Sequence, residues 1–320
     1  MRGATRLLSA EPADLSEAAR ILRDGGIVAF PTETVYGLGG DATSDAAVAK
    51  IYAAKRRPAF NPLIAHVADL AAAQQQGAFN AQARALAHAF WPGPLTLVVP
   101  CAERADVCDL ARAGLDSVAL RVPAHPVARD LIAAVGRPLA APSANLSGHV
   151  SPVSAQHVFD DLAGAIDLII DAGPCAVGLE STIVACLGDA PHLLRPGGVP
   201  RAAIEALLGH ALAGAVDGTI RAPGLLASHY APHARLRLEA AHLVPGEHGL
   251  DFGGIFPKSA RVLDLSPGRD LTEAAANLFH HLRALDALAA EIIAVAPIPA
   301  TGLGEAINDR LHRAAAERPR

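Results

Sequence analysis

Residues 25–62 read GGIVAFPTETVYGLGGDATSDAAVAKIYAAKRRPAFNP. An apolar run, Ile27 to Phe30, predicts a strand that delivers the chain into a hydroxyl-rich turn, Pro31-Thr32-Glu33-Thr34. A glycine stretch follows. Ser44 then offers an N-cap for a helix over Asp45–Lys55, and Pro58 stops that helix from continuing. The far end of the helix carries Lys55, Arg56 and Arg57. Lysine is otherwise scarce: only Lys50, Lys55 and Lys258 occur, and two of the three lie in this segment. Cations at a helix C-terminus also balance the helix dipole. Here they stand with a polar turn at Asn61-Pro62, and together they predict a site for a phosphate-bearing ligand.

Outward from this segment, apolar runs alternate with helical patterns. Strands are expected near Pro62–Val67, Leu95–Val99, Val118–Val122, Leu139–Ala141, Leu168–Asp171, Ser181–Cys186 and His192–Arg195. Helices are expected over Asp14–Arg23, Ala81–Phe90, Pro126–Val135, Ala155–Leu162 and Arg201–Leu208. Some neighbouring strands leave no room for a crossover helix, so the pattern is an α/β fold on a mixed sheet. Residues 213–234 lose this periodicity and hold two prolines, Pro223 and Pro232, which reads as a linker. Beyond it, strands near Leu236–Leu238, Arg261–Leu265 and Ile292–Val295, with helices over Leu271–Leu288 and Glu305–Ala315, predict a second, smaller open α/β (Rossmann-like) unit over 235–320.

Composition narrows the function classes. A net charge of −5 argues against a chain-wide nucleic-acid coat while leaving room for a local basic groove. Cys101, Cys108, Cys175 and Cys186 form no CxxC pair, as expected for thiols in a reducing compartment. The first fifteen residues lack the continuous apolar core of a secretory leader, and the apolar stretch 288–300 is interrupted by Glu291, Pro297 and Pro299. A soluble, cytoplasmic protein is expected.

Other polar groups sit where α/β sites usually collect them. Ser143 and Asn145 follow a short strand and lie two apart on one face. Ser and Asn are also ordinary turn formers. A hairpin of Ser181–Cys186 with His192–Arg195 would bring Ser181 and Arg195 into one region. Arg121, in the strand SVALRVP, is either a solvent-facing residue or a buried anion clamp. His66 lies inside the strand LIAHV, where a lone histidine is more often a satisfied core residue than a catalytic one. Gly37-Leu38-Gly39-Gly40-Asp41-Ala42 formally matches GxGxxA, but PTETVY separates it from the strand, which is the wrong context for a dinucleotide turn. No Ser-His-Asp order, metal-ligand cluster or matched carboxylate pair stands out.

Taken in order, FPTETVYGLG, KRRPAFNPLIAHV, WPGPLTLV, GLDSVALRVPAHP, APSANLSG, ESTIV and LLRPG closely resemble the L-threonylcarbamoyladenylate synthases, whose catalytic unit is a YrdC-like domain. The resemblance covers residues 12–210. The piece APGLLASHYAP is similar to the family's linker, and the tail fits the extra domain of its two-domain members. The resemblance implies a twisted mixed-sheet catalytic domain over 1–212, enclosing a positively charged concave site, a linker or lid over 213–234, and a C-terminal domain.

It also implies a reaction: L-threonine, bicarbonate and ATP, with Mg²⁺, give threonylcarbamoyl-AMP and pyrophosphate. The product feeds threonylcarbamoyladenosine modification of tRNA next to the anticodon, through a downstream threonylcarbamoyl transferase machinery and with a weak tRNA contact. Carried onto this chain, the threonine site falls on Thr34, His66, Arg121, Ala141 and Ser181. The ATP site falls on Lys55, Arg57, Asn61, Ser117, Ser143, Asn145, Ser151 and Arg195, with Gly224, His229 and Tyr230 closing over the nucleotide. Lys55, Arg57, Ser143 and Asn145 are the residues expected to act in catalysis, and no protein side chains are expected to hold the metal. Where the family linker has Met-Lys-Tyr-Lys, this chain has Leu225-Leu226-Ala227-Ser228, which removes a cation and an aromatic. The alternative is an RNA-binding module using the same basic surface, against which stand the overall acidity and the lack of an aromatic-basic stripe. Maturation factors that share the YrdC-like domain carry zinc-finger cysteines, absent from this sequence.

Overall fold

The computed structural model describes residues 4–58, 60–214 and 229–316. In its first two-thirds, ten strands form one mixed sheet: β1 (Arg6–Ser9), β2 (Val28–Phe30), β3 (Gly37–Asp41), β4 (Ile64–His66), β5 (Leu95–Pro100), β6 (Ser117–Arg121), β7 (Leu139–Ala140), β8 (Leu168–Asp171), β9 (Thr182–Ala185) and β10 (His192–Arg195). Their spatial order is β1-β8-β2-β3-β7-β4-β6-β5-β9-β10. Eight helices accompany them: α1 (Pro12–Arg23), α2 (Asp45–Lys55), α3 (Leu70–Gln76), α4 (Ala81–Phe90), α5 (Asp109–Arg112), α6 (Pro126–Val135), α7 (Ala155–Leu162) and α8 (Arg201–Leu208). A second sheet, entirely parallel, runs β11-β14-β12-β13 from β11 (Arg235–Arg237), β12 (His248–Asp251), β13 (Val262–Asp264) and β14 (Ile292–Val295), with α9 (Leu271–Ala287) and α10 (Gly304–Ala315). No helix among the described residues is long and apolar enough to cross a membrane.

Alternation along the strands divides the large sheet into two unlike faces. On one, Ala29, Leu38, Ala65, Leu97, Leu120 and Val184 enter the main core. The opposite face is itself split. Its β8-β2-β7 half carries Val28, Phe30, Leu139 and Leu168, which α1 and α6 cover with Leu22, Leu131 and Ile132. In its other half, His66 stands opposite Leu139, Arg121 opposite His66, and Thr96 opposite Ile183. A small apolar group there (Ile64, Val98, Ala119, Ile183) forms no part of either larger core. This half-face receives polar side chains instead of a covering helix.

Residues 37–41, whose match to a dinucleotide glycine turn was only formal, are a buried strand. A Cβ at Gly39 would stand 2.6 Å from a ring carbon of Phe30, so glycine is required there for packing. Ser44 caps α2 as expected, its side chain accepting from the Ala47 amide at 3.3 Å. Strands β1 and β12 and helices α3 and α5 have no counterpart in the sequence reading, because each is only four to seven residues long, too short to display a clear period.

Gly197 locks the β10 exit against the start of β9. An added Cβ would meet the Glu180 carbonyl oxygen at 2.3 Å and the Ser181 carbonyl carbon at 2.5 Å, both backbone atoms. Gly197→Ala is therefore expected to lower stability by about 1–3 kcal/mol, read as a shift of the urea midpoint at unchanged m-value.

Candidate active site

The site is assembled from loops at the uncovered half-face. Helix α2 ends in a left-handed residue, Arg56, with φ of 50°. That turn separates three consecutive cations: Arg56 is exposed, while Lys55 and Arg57 are buried. Lys55 Nζ donates to the carbonyls of Ser143 and, at 2.5 Å, Asn145. Arg57 donates to the carbonyls of Asn61 (3.3 Å) and Pro62 (3.1 Å). Neither makes a salt bridge among the described residues. Burial, with Arg57 beside it, holds Lys55 well below the usual lysine range, and burial brings Arg57 down to about 10. Both shifts show burial and neighbouring guanidinia disfavouring the charged form, with no acid in contact to stabilise it.

The lining of the adjoining cavity includes Thr34, Arg57, His66, Arg121, Ala141, Ser143, Ser181, Arg195, His229 and Tyr230, all singled out above. Its volume is about 50 Å³. Thr32 gives its hydroxyl hydrogen to the Val35 carbonyl at 2.6 Å, so Thr34 donates to Thr32 (2.7 Å) and its own lone pairs stay available to a ligand donor. Ser181 pairs with Thr96 at 2.7 Å, and Arg195 Nη2 donates to the Ser181 carbonyl at 2.8 Å. The β9–β10 hairpin makes this approach. Beside the cavity, Asn61 is fully buried with neither side-chain amide atom partnered, and Asn145 Oδ1 is likewise unpartnered among the described residues. Both ring nitrogens of His66 and Nδ1 of His229 are also without partners. So many buried, unsatisfied polar atoms in one place indicate a ligand site.

Arg121 resolves as a buried residue, and it is not an isolated cation. Its Nη2 donates to Glu33 Oε1 at 2.7 Å and its Nε to the Gly93 carbonyl at 3.3 Å. Glu33 Oε2 accepts from the Ala124 amide. Burial alone would raise the Glu33 carboxyl, but the Arg121 guanidinium holds it below its usual range. Glu33 thus aims Arg121, leaving Nη1 for a ligand oxygen. Sequence reading took Glu33 for part of a turn, and its only signal was a carboxylate between two threonines in an otherwise apolar approach.

Two further expected site residues, Ser117 and Ser151, do not themselves line the cavity. Ser117 is at the opposite end of β6 from Arg121, about 13 Å away at the usual strand rise. Ser151 is fully buried and donates to Glu180 Oε1 at 2.5 Å. Gly224, with the substituted stretch 225–228, lies outside the described residues. Glu180 was missed altogether. It lines the cavity, and its Oε2 accepts from Arg310 of α10 at 2.8 Å.

Two family profiles match the chain. One, described as telomere recombination (Sua5, YciO, YrdC), covers residues 20–197; the other, the C-terminal domain of threonylcarbamoyl-AMP synthase, covers 199–316. The chain belongs to the threonylcarbamoyl-AMP synthase family. Threonylcarbamoyl-AMP synthase of Bacillus subtilis is 41% identical, over 97% of this chain and 95% of that protein. The synthase of Pyrococcus abyssi is also 41% identical, over 94% of each. The crystal structure of P. abyssi Sua5 complexed with L-threonine superposes with a TM-score of 0.90 at 38% identity, covering 97% of this chain and 98% of that one. The fold described here, a ten-stranded mixed sheet followed by a four-stranded parallel one, therefore matches that structure over 97% of this chain.

Burial holds the imidazoles of His66 and His229 at about 3, against 6.5 for an unburied histidine. The unfolded chain therefore binds more protons than the folded one between those values, and stability falls as pH drops through that window. Thermal melts from pH 7 to pH 5 are expected to show declining midpoints, and the lowered Glu33 and Glu180 carboxyls add a loss of the same sign only toward the acid end of that range. His66→Asn should reduce the pH slope of the unfolding free energy by about one proton.

Proposed function

We propose that this chain condenses L-threonine, bicarbonate and ATP into threonylcarbamoyl-AMP and pyrophosphate, within the division of labour that its family membership suggests. Residues 1–212 form the catalytic unit, 213–234 a linker and lid, and 235–320 a smaller α/β unit. The observation that carries the reading is the pair Lys55 and Arg57, buried without an acid partner among the described residues beside unsatisfied Asn61, His66 and His229. A triphosphate answers that electrostatic deficit.

Threonine's amine attacks bicarbonate, forming a carbamate with loss of water. A carbamate oxygen then attacks the α-phosphorus as the bridging oxygen to the β-phosphate leaves with pyrophosphate. No protein nucleophile is needed, so the work is positioning and charge stabilisation. Arg121, aimed by Glu33, takes the threonine carboxylate. Thr34 accepts from the amine, and Ser181 and the Ala141 backbone bound the threonine side. Arg57, Arg195 and the third N–H of Lys55 face the phosphates, while Ser143, Asn145 and Asn61 supply short polar contacts. Ser151 joins the nucleotide site through Glu180, whereas Ser117, at the far end of β6, is carried to it by the family resemblance alone. Among the described residues no group of three or more acidic, His or Cys side chains could hold a metal, and Glu180 is committed to Ser151 and Arg310. Mg²⁺ would enter with the nucleotide substrate and draw charge off its phosphates.

A 50 Å³ cavity is far below the few hundred Å³ that such a ligand needs. Substrates enter when the His229–Tyr230 wall moves aside, and this wall closes over the nucleotide afterwards; Gly224, assigned to the same lid, lies outside the described residues. The same enclosure speaks against an RNA-binding module, since a polynucleotide cannot reach Lys55 or Arg57. The product passes to a threonylcarbamoyl transferase acting on tRNA, in the cytoplasm, with weak tRNA contact on the outer surface.

Incubation with ATP, Mg²⁺, bicarbonate and each amino acid in turn, monitored by pyrophosphate, is expected to show release only with threonine and bicarbonate together. Release indifferent to either would remove the reading. Lys55→Ala is expected to cut that rate by about 10²-fold or more with unchanged circular dichroism. Near-normal turnover would free Lys55 of its role.

A further inference from the structure

The last helix carries a polar run, Asn308-Asp309-Arg310, of the kind that ordinarily faces water. Arg310 is instead fully buried. Its Nε donates to Glu180 Oε2 at 2.8 Å, its Nη2 to the Pro196 carbonyl at 2.9 Å, and its Nη1 pairs with Asp309 at 2.5 Å. Its guanidinium also lies 5.2 Å from the centroid of the Tyr230 ring. Tyr230 holds a left-handed backbone, φ 63°, and stacks on Phe279 of α9 at 5.7 Å. Two walls of the cavity, Glu180 and Tyr230, are thus braced by the second unit.

Glu180 poses an electrostatic problem for an anion site. It is a carboxylate lining the same small cavity as Arg57 and Arg195. Left uncompensated, it would attract those guanidinia and repel phosphate. Arg310 and Ser151 occupy its two oxygens. We propose that Arg310 is a positioning residue for the nucleotide site, neutralising Glu180 and bracing Tyr230 so that Arg57 and Arg195 remain directed at the phosphates. This rests on the nucleotide reading above and deepens it: the C-terminal unit supplies part of the site's charge balance.

The test is ATP·Mg²⁺ binding to the full chain by titration calorimetry, with threonine binding measured alongside. The wild type is read first. If it binds no ATP, the nucleotide reading itself fails, before any variant is considered. Given wild-type binding, Arg310→Met is expected to weaken ATP about tenfold or more, with threonine affinity far less affected. Arg310→Met combined with Glu180→Gln removes both buried charges and is expected to recover ATP affinity to within about threefold of wild type. A residue that merely held the fold together would not be rescued by removing its partner. Wild-type affinity in Arg310→Met, or a double variant as weak as the single, overturns the proposal. If Arg310→Met does not fold, the double variant alone decides. Near-wild-type ATP binding supports the proposal. Lost binding or lost folding in the double variant overturns it.

Discussion

A buried cation without an acid beside it is costly, by several kcal/mol after relaxation. Lys55 and Arg57 impose that cost on this fold, and the loops around them are arranged to reduce it. Four carbonyl oxygens, from Asn61, Pro62, Ser143 and Asn145, turn toward the two side chains. Lys55 thereby ties the end of α2 to the loop after β7, across a sequence separation of ninety residues. The carbonyl dipoles soften the charge without cancelling it. Beside Arg57 the buried side-chain amide of Asn61 is orphaned, and in the same cavity as Arg57 the ring of His66 has no partner among the described residues.

The second α/β unit is clasped to the first near this same region. Arg283 of α9 pairs with Asp161 at 2.8 Å and also donates to the Val150 carbonyl. Arg201 of α8 pairs with Glu305 of α10 at 2.5 Å. Gly178, at φ 72°, lets the chain pass so close to α9 that a Cβ would meet the Ala275 carbonyl oxygen at 2.5 Å. These contacts flank the Glu180–Arg310 pair, so the two sheets meet where the chemistry is proposed to occur.

Much of this was legible in the residues, and the failures share a cause. Strands such as Leu95–Pro100 announce themselves through apolar runs, and α2 through its cap and proline stop. Strand β3 did not, because its glycines answer to Phe30 and Ile51 across the packing and not to local propensity. Lys55 and Arg57 stood out as cations, but nothing in KRRP says that the middle one faces out. Arg121 was ambiguous until Glu33, 88 residues earlier, met it. Glu180 and Arg310 lie 130 residues apart, and each taken alone resembles an ordinary surface charge. Periodicity reports burial of apolar faces; it is silent about charges that find one another only after the sheets are assembled.

The left-handed turn at Arg56 has a consequence of its own. It works as a switch of parity: side chains on either side of it are sent inward and the one at it is sent out. Lengthening or shortening the chain by one residue at this turn would leave the basic composition untouched and yet present the wrong guanidinium to the interior. The spacing of these three cations is therefore under stricter constraint than their identity at the middle position, where any residue tolerant of a positive φ would serve.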